Sequence, residues 1–391
     1  MGHSATLAAP GLAELRAREF PSLAGAAYLN AASMAPTPER TRRALDELNR
    51  RRASITEWAD EDFTGPLVAA RAAAARLVGA EPDEIALGWN TSFGINLAAQ
   101  CLPIAPGSTV VVSDREFPAN VYPWMGPGCP GRLETVPADA LGRPDEDRLL
   151  ERLDRGDVSV FALSAVQFAT GWRADLPRLG RFCRERGIFF VVDAIQALGQ
   201  VPLDVREADV DVLATGAQKW LCAPFGTGFA YVRRELLPRM QPRVVGWTSL
   251  QASADYANLL DYRHEFVEDA RKFEVATPAF QDFAGLAASV EVLLEAGVEN
   301  VQAHLVELLD PLAAWLAEHP EYRIVSDRDP ARRSGIFCFR PPEPERTFAA
   351  LTAAGVVCVL RQGAVRVAPH LYNDADDLAR VLEVLKREVA R

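Results

Sequence analysis

The chain has 391 residues, a formal net charge of −11 and a hydrophobic share of 49%. That length suits about two or three domains of ordinary size, and the composition excludes a disordered, collagenous or coiled-coil protein. Acidic residues outnumber basic ones, 53 to 42. We therefore expect no nucleic-acid partner and no membrane partner, since both favour a basic surface.

Short apolar segments alternate with segments of helical periodicity through the first part of the chain. In chain order, the expected elements are a helix at 39–52, a strand at 85–87, a helix at 91–102, strands at 110–113 and 158–164, a helix at 177–186, and strands at 188–193 and 212–215. Strands this apolar are buried on both faces, and their alternation with helices predicts an α/β fold with a mainly parallel sheet.

The pattern changes near residue 283. The expected elements from there are a helical stretch at 282–318 broken at Gly297, strands at 335–339, 356–361 and 364–368, and helices at 344–354 and 375–391. This α+β pattern predicts a smaller C-terminal domain at 283–391, after a large domain at 51–282. Residues 1–50 show no sheet of their own and are expected to pack on the small domain, with a partner as the alternative.

The cysteine pattern gives no sign of a metal site or a disulfide framework. The six cysteines form no CxxC pair and no zinc-like spacing with histidine. The sequence shows no signal-peptide core and no uninterrupted apolar run of about 18 residues. We therefore expect a cytoplasmic protein without a bound metal.

Lysine usage singles out one position. Of the 42 basic residues only Lys219, Lys272 and Lys386 are lysines. Arginine stays protonated, whereas a buried lysine can lose its proton and act as a nucleophile. Lys272 and Lys386 lie in charged surroundings, where chance explains them. Lys219 instead follows the predicted strand at 212–215.

Asp193 ends the preceding predicted strand, so Asp193 and Lys219 fall at strand ends, where α/β sheets bind ligands. A glycine-bracketed loop, Gly226-Thr227-Gly228, comes soon after. Pyridoxal phosphate chemistry requires such a pair: the amine forms a Schiff base with the cofactor aldehyde, and the carboxylate holds the pyridine nitrogen protonated. A capping aspartate and a surface lysine are the alternative.

Several motifs in order extend this hypothesis to the whole chain. They are Tyr28-Leu-Asn-Ala-Ala-Ser33, Asn90-Thr-Ser-Phe-Gly-Ile-Asn96, the stretch from Glu116 to Trp124, the stretch from Ser164 to Gly171, the Asp193/Lys219 block, and Val365-Arg-Val-Ala-Pro-His-Leu-Tyr-Asn373. With them the chain resembles the class V aminotransferase family, which includes cysteine desulfurases, selenocysteine lyases and isopenicillin N epimerase. The resemblance implies a fold-type I transferase dependent on pyridoxal phosphate, with a seven-stranded, mainly parallel sheet in the large domain.

The resemblance also implies which side chains hold the cofactor. The matching positions are Thr91, Ser92, Phe117, Asp193, Gln196, Thr215, Gln218, Lys219 and Thr277. Among these, Lys219 and Asp193 would be catalytic, Gln196 would bond the ring hydroxyl, and Phe117 would stack on the ring. The remaining positions would contact the phosphate. Thr277 would reach the phosphate of a neighbouring protomer, which implies a homodimer.

An amino acid is the substrate that the resemblance implies. The matching substrate positions are Asn30, Ser33, Gln167 and Arg366. Arg366 would pair with the substrate α-carboxylate, because a guanidinium fork suits that group; Arg361 is a second candidate. Desulfurases carry a nucleophilic cysteine in a loop just before this arginine, whereas only residues 362–365 separate Arg361 from Arg366 here.

These features favour a β-eliminating C–S lyase that acts on an S-substituted cysteine, with specialised metabolism as the expected setting. An epimerase like isopenicillin N epimerase, an aminotransferase, and a decarboxylation coupled to oxidative deamination stay open as alternatives. A non-catalytic regulatory protein on the same fold is the alternative from a different class. The set of Asp193, Lys219 and Arg366 argues against the last of these.

Overall fold

The computed structural model describes residues 11–23, 25–260 and 262–390. Its helices are α1 (Leu12–Glu19), α2 (Glu39–Ala53), α3 (Asp60–Val78), α4 (Thr91–Cys101), α5 (Tyr122–Met125), α6 (Glu146–Leu153), α7 (Leu176–Arg186), α8 (Phe280–Ala296), α9 (Val298–Glu318), α10 (Pro344–Ala353) and α11 (Ala375–Val389). Within these ranges no helix has the length and apolar character needed to cross a bilayer.

The strands are β1 (Ala27–Tyr28), β2 (Ile85–Gly88), β3 (Thr109–Ser113), β4 (Arg132–Val136), β5 (Val158–Ser164), β6 (Phe189–Asp193), β7 (Val212–Gly216), β8 (Gly228–Val232), β9 (Arg323–Ile324), β10 (Phe337–Arg340), β11 (Val356–Val357), β12 (Val359–Arg361) and β13 (Ala364–Val367). The large sheet has the order β2-β8-β7-β6-β5-β3-β4. Only β8 runs antiparallel to its neighbours in this sheet, which confirms the predicted α/β fold with a mainly parallel sheet.

Both faces of the large sheet are buried because helices cover both of them. Along β5, Phe161 and Leu163 pack into the core that includes α3 and α8. The alternate residues of β5, Val160 and Ala162, pack into the core on the α4 side. Side chains alternate between the faces of a strand, so a strand covered on both sides needs apolar residues throughout. This explains why these strands were recognisable as largely apolar runs.

A small antiparallel sheet lies in the C-terminal part, with the order β12-β13-β10-β9. Its core also contains residues of α9, α10 and α11. The predicted break at Gly297 is confirmed, since α8 ends and α9 begins on either side of it. One predicted strand is wrong in detail. The run at 356–361 divides at Cys358 into β11, which pairs with β1, and β12, which pairs with β13.

The N-terminal segment contacts the strands and the core of the C-terminal part. β1 pairs in parallel with β11, and Asn30 forms a parallel bridge with Ala368, just beyond β13. Leu29 and Ala27 are part of the core of the small sheet. The division of the chain at residues 50 and 282 stays a prediction, because α8 packs its apolar side into the core of the large sheet.

Candidate active site

The carboxyl ends of the parallel strands bring the predicted catalytic pair together. In the sheet register Ser164 at the end of β5 lies beside Asp193 at the end of β6, and Asp193 lies beside Ala214 of β7. Lys219 follows β7, and its Nζ lies 5.7 Å from the centroid of the Phe117 ring. The structure thus places an amine, a carboxyl group and an aromatic ring at one edge of the sheet.

Burial changes the protonation of both catalytic candidates. It raises the pKa of Asp193 to about 6, against a bond from the Ile195 N–H and the charge of Lys219. Burial lowers the pKa of Lys219 to about 8, and the charges of Arg366 and Arg361 act in the same direction while Asp193 opposes them. An amine with a lowered pKa is deprotonated in a larger fraction near neutral pH, so Lys219 is suited to nucleophilic attack and to proton transfer.

The first turn of α4 offers a place for an anion beside this pair. Asn90 caps the helix by accepting from the Phe93 N–H at 3.0 Å, which leaves the first N–H groups of the helix directed outwards. Thr91 Oγ1 accepts a hydrogen bond of 2.9 Å from the Gly216 N–H at the end of β7. Because Thr91 uses its oxygen as the acceptor, its O–H can still donate. Thr91 and Ser92 therefore suit a phosphate.

The other predicted cofactor positions form hydrogen bonds with neighbouring residues around the site. Gln196 donates to the Ala32 carbonyl at 3.0 Å and accepts from Trp220 Nε1 at 2.7 Å. Thr215 is fully buried, and its hydroxyl donates to the Gly216 carbonyl at 3.0 Å. The carbonyl of Gln218 accepts from the Ala35 N–H at 3.0 Å. Their direct contacts with a cofactor stay a prediction.

Arg366 is a buried cation without an acidic partner among the described residues. It is 2% exposed, and it donates to the Phe168 carbonyl at 2.9 Å and to Ser33 Oγ at 2.8 Å. Its Nε is buried and has no partner in the described part of the chain. Burial lowers the pKa of Arg366 to about 10. A buried, unpaired guanidinium is costly, so the site is complete only when an anion binds there.

The two remaining substrate candidates differ in what they offer. Asn30 has a buried Oδ1 without a partner among the described residues, as expected of a group that awaits a ligand. Gln167 instead uses its amide within its own loop: it donates to the Arg115 carbonyl at 2.7 Å and accepts from the N–H groups of Ala169 and Thr170. It shapes the loop that presents Phe168, and its contact with substrate stays a prediction.

The sequence analysis did not single out Glu116 or Phe168. The Phe168 ring packs edge-on against Phe117, with centroids 5.2 Å apart. The buried Glu116 carboxylate accepts from the Ser164 N–H at 3.1 Å and from Asn120 Nδ2 at 2.8 Å. It thereby joins the segment that carries Phe117 to the end of β5. A glutamate just after a buried strand was the signal available for it.

Glu116 is expected to make stability depend on pH. Burial raises its pKa from 4.5 to about 7, so the folded state binds the proton more tightly than the unfolded chain does. Stability should therefore fall as the pH rises from about 4.5 to 7. Glu116→Gln removes this titration. Its stability relative to wild type should rise by about 2–3 kcal/mol from pH 4.5 to 7, less than the full shift at about 1.4 kcal/mol per pKa unit because titration is incomplete at both ends of the range.

Urea unfolding midpoints at pH 5 and pH 8 test the role of Glu116. Glu151→Gln is the matched control, because Glu151 is exposed and its variant should follow wild type at both pH values. Equal pH dependence in wild type and Glu116→Gln would show that Glu116 does not hold its proton in the folded state.

No reactive thiol stands where desulfurases carry their nucleophile. β12 and β13 are joined through Gln362 and Gly363, whose φ angles of 52° and 72° are typical of a tight two-residue hairpin turn. Burial raises the pKa of Cys358 to about 12 and that of Cys338, opposite Arg366 in the sheet, also to about 12. A thiol with a raised pKa is a poor nucleophile.

Two of the residues named from the sequence lie outside the pocket. Lys272, which the sequence analysis attributed to chance in charged surroundings, is buried, and its Nζ donates to the Leu237 carbonyl. Thr277 is exposed on the loop before α8. The structure therefore does not bring Thr277 into the pocket of its own chain as it does the other candidates.

The donor set of this pocket fits pyridoxal phosphate. Lys219 can hold the aldehyde carbon, and the buried carboxyl of Asp193 can pair with a ring nitrogen. The half-exposed ring of Phe117 offers a flat surface, with 39% of its area exposed. The first turn of α4 at Thr91 suits the phosphate, and the unpartnered groups of Arg366 suit the carboxylate of an amino acid.

Comparison with known proteins agrees with this geometry. The family model Aminotransferase class-V matches residues 27–381. A probable cysteine desulfurase of Methanothermobacter thermautotrophicus is 28% identical over 394 residues, covering 94% of this chain and 96% of that protein. The apo cysteine desulfurase from Thermococcus onnurineus NA1 superposes with a TM-score of 0.87 at 22% identity, over 98% of this chain and 100% of that one.

A second solved structure has the same fold. The cystine C-S lyase C-DES in complex with cysteine persulfide superposes with a TM-score of 0.84 at 21% identity, over 94% of this chain and 99% of that one. The match of the family model over most of the chain, together with the pocket, determines the assignment. The chain belongs to the class V aminotransferase family, and its cofactor is pyridoxal phosphate.

Proposed function

We propose that this protein is a β-eliminating C–S lyase that acts on an S-substituted cysteine. The observation that carries the proposal is the tight turn at Gln362 and Gly363, which leaves no loop for a nucleophilic cysteine, beside an intact set of Lys219, Asp193 and Arg366. The relative named a probable cysteine desulfurase favours a sulfur-bearing substrate. Without an enzyme thiol to accept sulfur, the sulfur leaves as a thiol that keeps its substituent.

The chain's own groups provide the steps that this reaction needs. Pyridoxal phosphate, when bound, withdraws electrons from the substrate Cα and so makes its proton acidic. Arg366 holds the α-carboxylate and fixes the orientation of Cα. Lys219, with its lowered pKa, takes the Cα proton. Asp193 would pair with the ring nitrogen of the bound cofactor and keep its negative charge there.

The bond changes balance without an oxidant. The Cα–H bond and the Cβ–S bond break, and the sulfur keeps the bonding pair and takes up a proton. The remaining three-carbon unit hydrolyses to pyruvate and ammonium. One water is therefore consumed for each thiol, pyruvate and ammonium formed. Lys219 is the group placed to pass the proton on.

A product assay tests the proposal. The holoenzyme is incubated with free L-cysteine, S-methyl-L-cysteine and S-carboxymethyl-L-cysteine, and pyruvate, alanine and aldehydes are measured. Pyruvate with an equal amount of thiol from an S-substituted cysteine is the expected result. Alanine from free cysteine would identify a desulfurase, and an aldehyde would identify decarboxylation with oxidative deamination; either would overturn the proposal.

We also propose a homodimer in which Thr277 reaches the cofactor phosphate of the partner subunit. The exposure of Thr277 on the loop before α8 supports this. Thr277→Ala should weaken cofactor binding by at least about tenfold, the cost of one hydrogen bond to a charged group. Sedimentation should show a dimer, and an active monomer would contradict the proposal.

Hybrid dimers provide a sharper test of the shared site. Chains with Thr277→Ala and chains with Lys219→Ala are dissociated, mixed and allowed to reassociate. If Thr277 acts across the interface, one site of each hybrid combines an intact Lys219 with the other chain's intact Thr277, and this site binds cofactor as wild type does. If Thr277 acts within its own chain, the mixture shows no recovery.

A further inference from the structure

A second arginine, Arg361, lies beside Arg366 in the small sheet. Val359 of β12 pairs with Arg366 of β13, and Arg361 lies two residues along the same strand. Arg361 and Arg366 are therefore diagonal neighbours on one face of the sheet, a relation that places such residues about 7–8 Å apart. The two arginine side chains therefore start from neighbouring positions on one wall of the site.

Both arginines converge on Phe168. The Arg361 Cζ lies 5.5 Å from the centroid of the Phe168 ring, while Arg366 donates to the Phe168 carbonyl. The Phe168 ring in turn contacts Phe117, whose own ring lies near Lys219. A chain of direct contacts therefore connects the Arg361 guanidinium to the amine, so Arg361 lies at the site and not on a remote surface.

Arg361 has no carboxylate partner among the described residues. Several other partly buried arginines are paired; Arg143, for example, contacts both Asp139 and Asp327. The charges that act on Lys219 are those of Arg366, Arg361 and Asp193. Once the α-carboxylate of a substrate is paired with Arg366, the half-buried guanidinium of Arg361 is still without an anion.

We propose that Arg361 binds a second anionic group, carried by the sulfur substituent of the substrate, so that the preferred substrate is an S-conjugate of cysteine with a distal acid. That the acid is carried on a sulfur leaving group rests on the proposed function. That the site binds a distal acid rests on the geometry alone. A carboxylate suits the guanidinium fork best. An alternative arrangement, in which both arginines clamp the α-carboxylate, is an outcome of the test.

The test compares an acid with its neutral counterpart. S-carboxymethyl-L-cysteine and S-carbamoylmethyl-L-cysteine have nearly the same shape and differ in charge at the distal end. For the wild-type holoenzyme, kcat/KM for pyruvate formation should favour the acid by at least about tenfold, as expected for a hydrogen-bonded charge pair. Arg361→Gln should reduce this preference to below about twofold, and Arg361→Lys should restore part of it.

Arg366→Gln is the matched control, because this variant should lower the values for acid and amide by the same factor. No acid preference in wild type would overturn the inference. It would equally fail if Arg361→Gln lowered both values by one factor, as a clamp of two arginines on the α-carboxylate predicts.

Binding without turnover separates this inference from the proposed function. L-2-aminoadipate and L-norleucine have no sulfur to eliminate, and their dissociation constants follow from the change in cofactor absorbance. Tighter binding of aminoadipate that is lost in Arg361→Gln supports the distal acid site even if no substrate yields pyruvate. Equal binding of the two ligands by wild type would contradict the acid site even if the lyase activity is present.

Discussion

Lys219→Ala is expected to lower turnover by about 10⁴-fold, the upper range for loss of a positioned acid–base group, and to abolish covalent attachment of the cofactor. Lys219 is the amine at the edge of the sheet near Phe117, and its pKa is lowered to about 8. Alanine can neither hold the aldehyde nor take the Cα proton. The variant should still fold, because the change removes a buried amine without removing a large apolar group.

The measurements for Lys219→Ala are the initial rate of pyruvate formation and the intact mass after borohydride reduction. Reduced wild type should carry the mass of one cofactor per chain, and the variant should carry none. Lys386→Ala is the control, because Lys386 is exposed on α11. If Lys219→Ala kept more than a tenth of wild-type turnover, the lysine would have no catalytic role. If the chain were a non-catalytic regulatory protein, the Lys219→Ala variant would keep its biological activity.

Asp193→Ala should lower turnover by about 10²–10³-fold, the usual effect of removing a preorganised charge from a catalytic site. Asp193 is 2% exposed, and the N–H of Ile195 donates to its Oδ1 at 3.0 Å. Asp193→Asn keeps the shape and an acceptor but not the charge. Asp193→Ala and Asp193→Asn should lower turnover by similar factors, because the reaction uses the negative charge beside the ring nitrogen.

Asp211→Asn is a close control for Asp193→Asn. Asp211 is also buried, its carboxylate accepts from the Phe190 N–H at 2.8 Å, and burial raises its pKa to about 6. It precedes β7 and therefore lies at the opposite end of the sheet from Lys219. Steady-state kinetics should show little loss for Asp211→Asn. Similar losses in both variants would mean that burial of the carboxylate, and not its place at the cofactor, determines the effect.

The sequence predicted the centre of the fold well because burial on both faces leaves a plain signal. The strands that became β3, β5, β6 and β7 are largely apolar, and Asp193 is a charged residue at the end of such a run. Lys219 was conspicuous because the chain has so few lysines. From these signals and the family motifs, the sequence predicted that the amine and the carboxylate lie at one edge of the sheet.

Other features depend on contacts that a single sequence does not display. Residues 356–360 are all apolar, so nothing in them marks Cys358 as the point where the chain leaves one sheet for another. The position of Glu116 after a buried strand is visible in the sequence, but its role becomes clear only from the contacts of its carboxylate with Ser164 and Asn120. The loop of Phe168 became relevant only because Arg366 donates to its carbonyl.

The most direct test of the lyase proposal is proton NMR of the holoenzyme with S-carboxymethyl-L-cysteine in ²H₂O. Elimination predicts loss of the substrate signals, with the matching appearance of thioglycolate and of pyruvate that carries deuterium in its methyl group. The contradictory result is exchange of the Cα proton for deuterium while the substrate and its C–S bond persist. That result would identify an epimerase or an aminotransferase half-reaction in place of a C–S lyase.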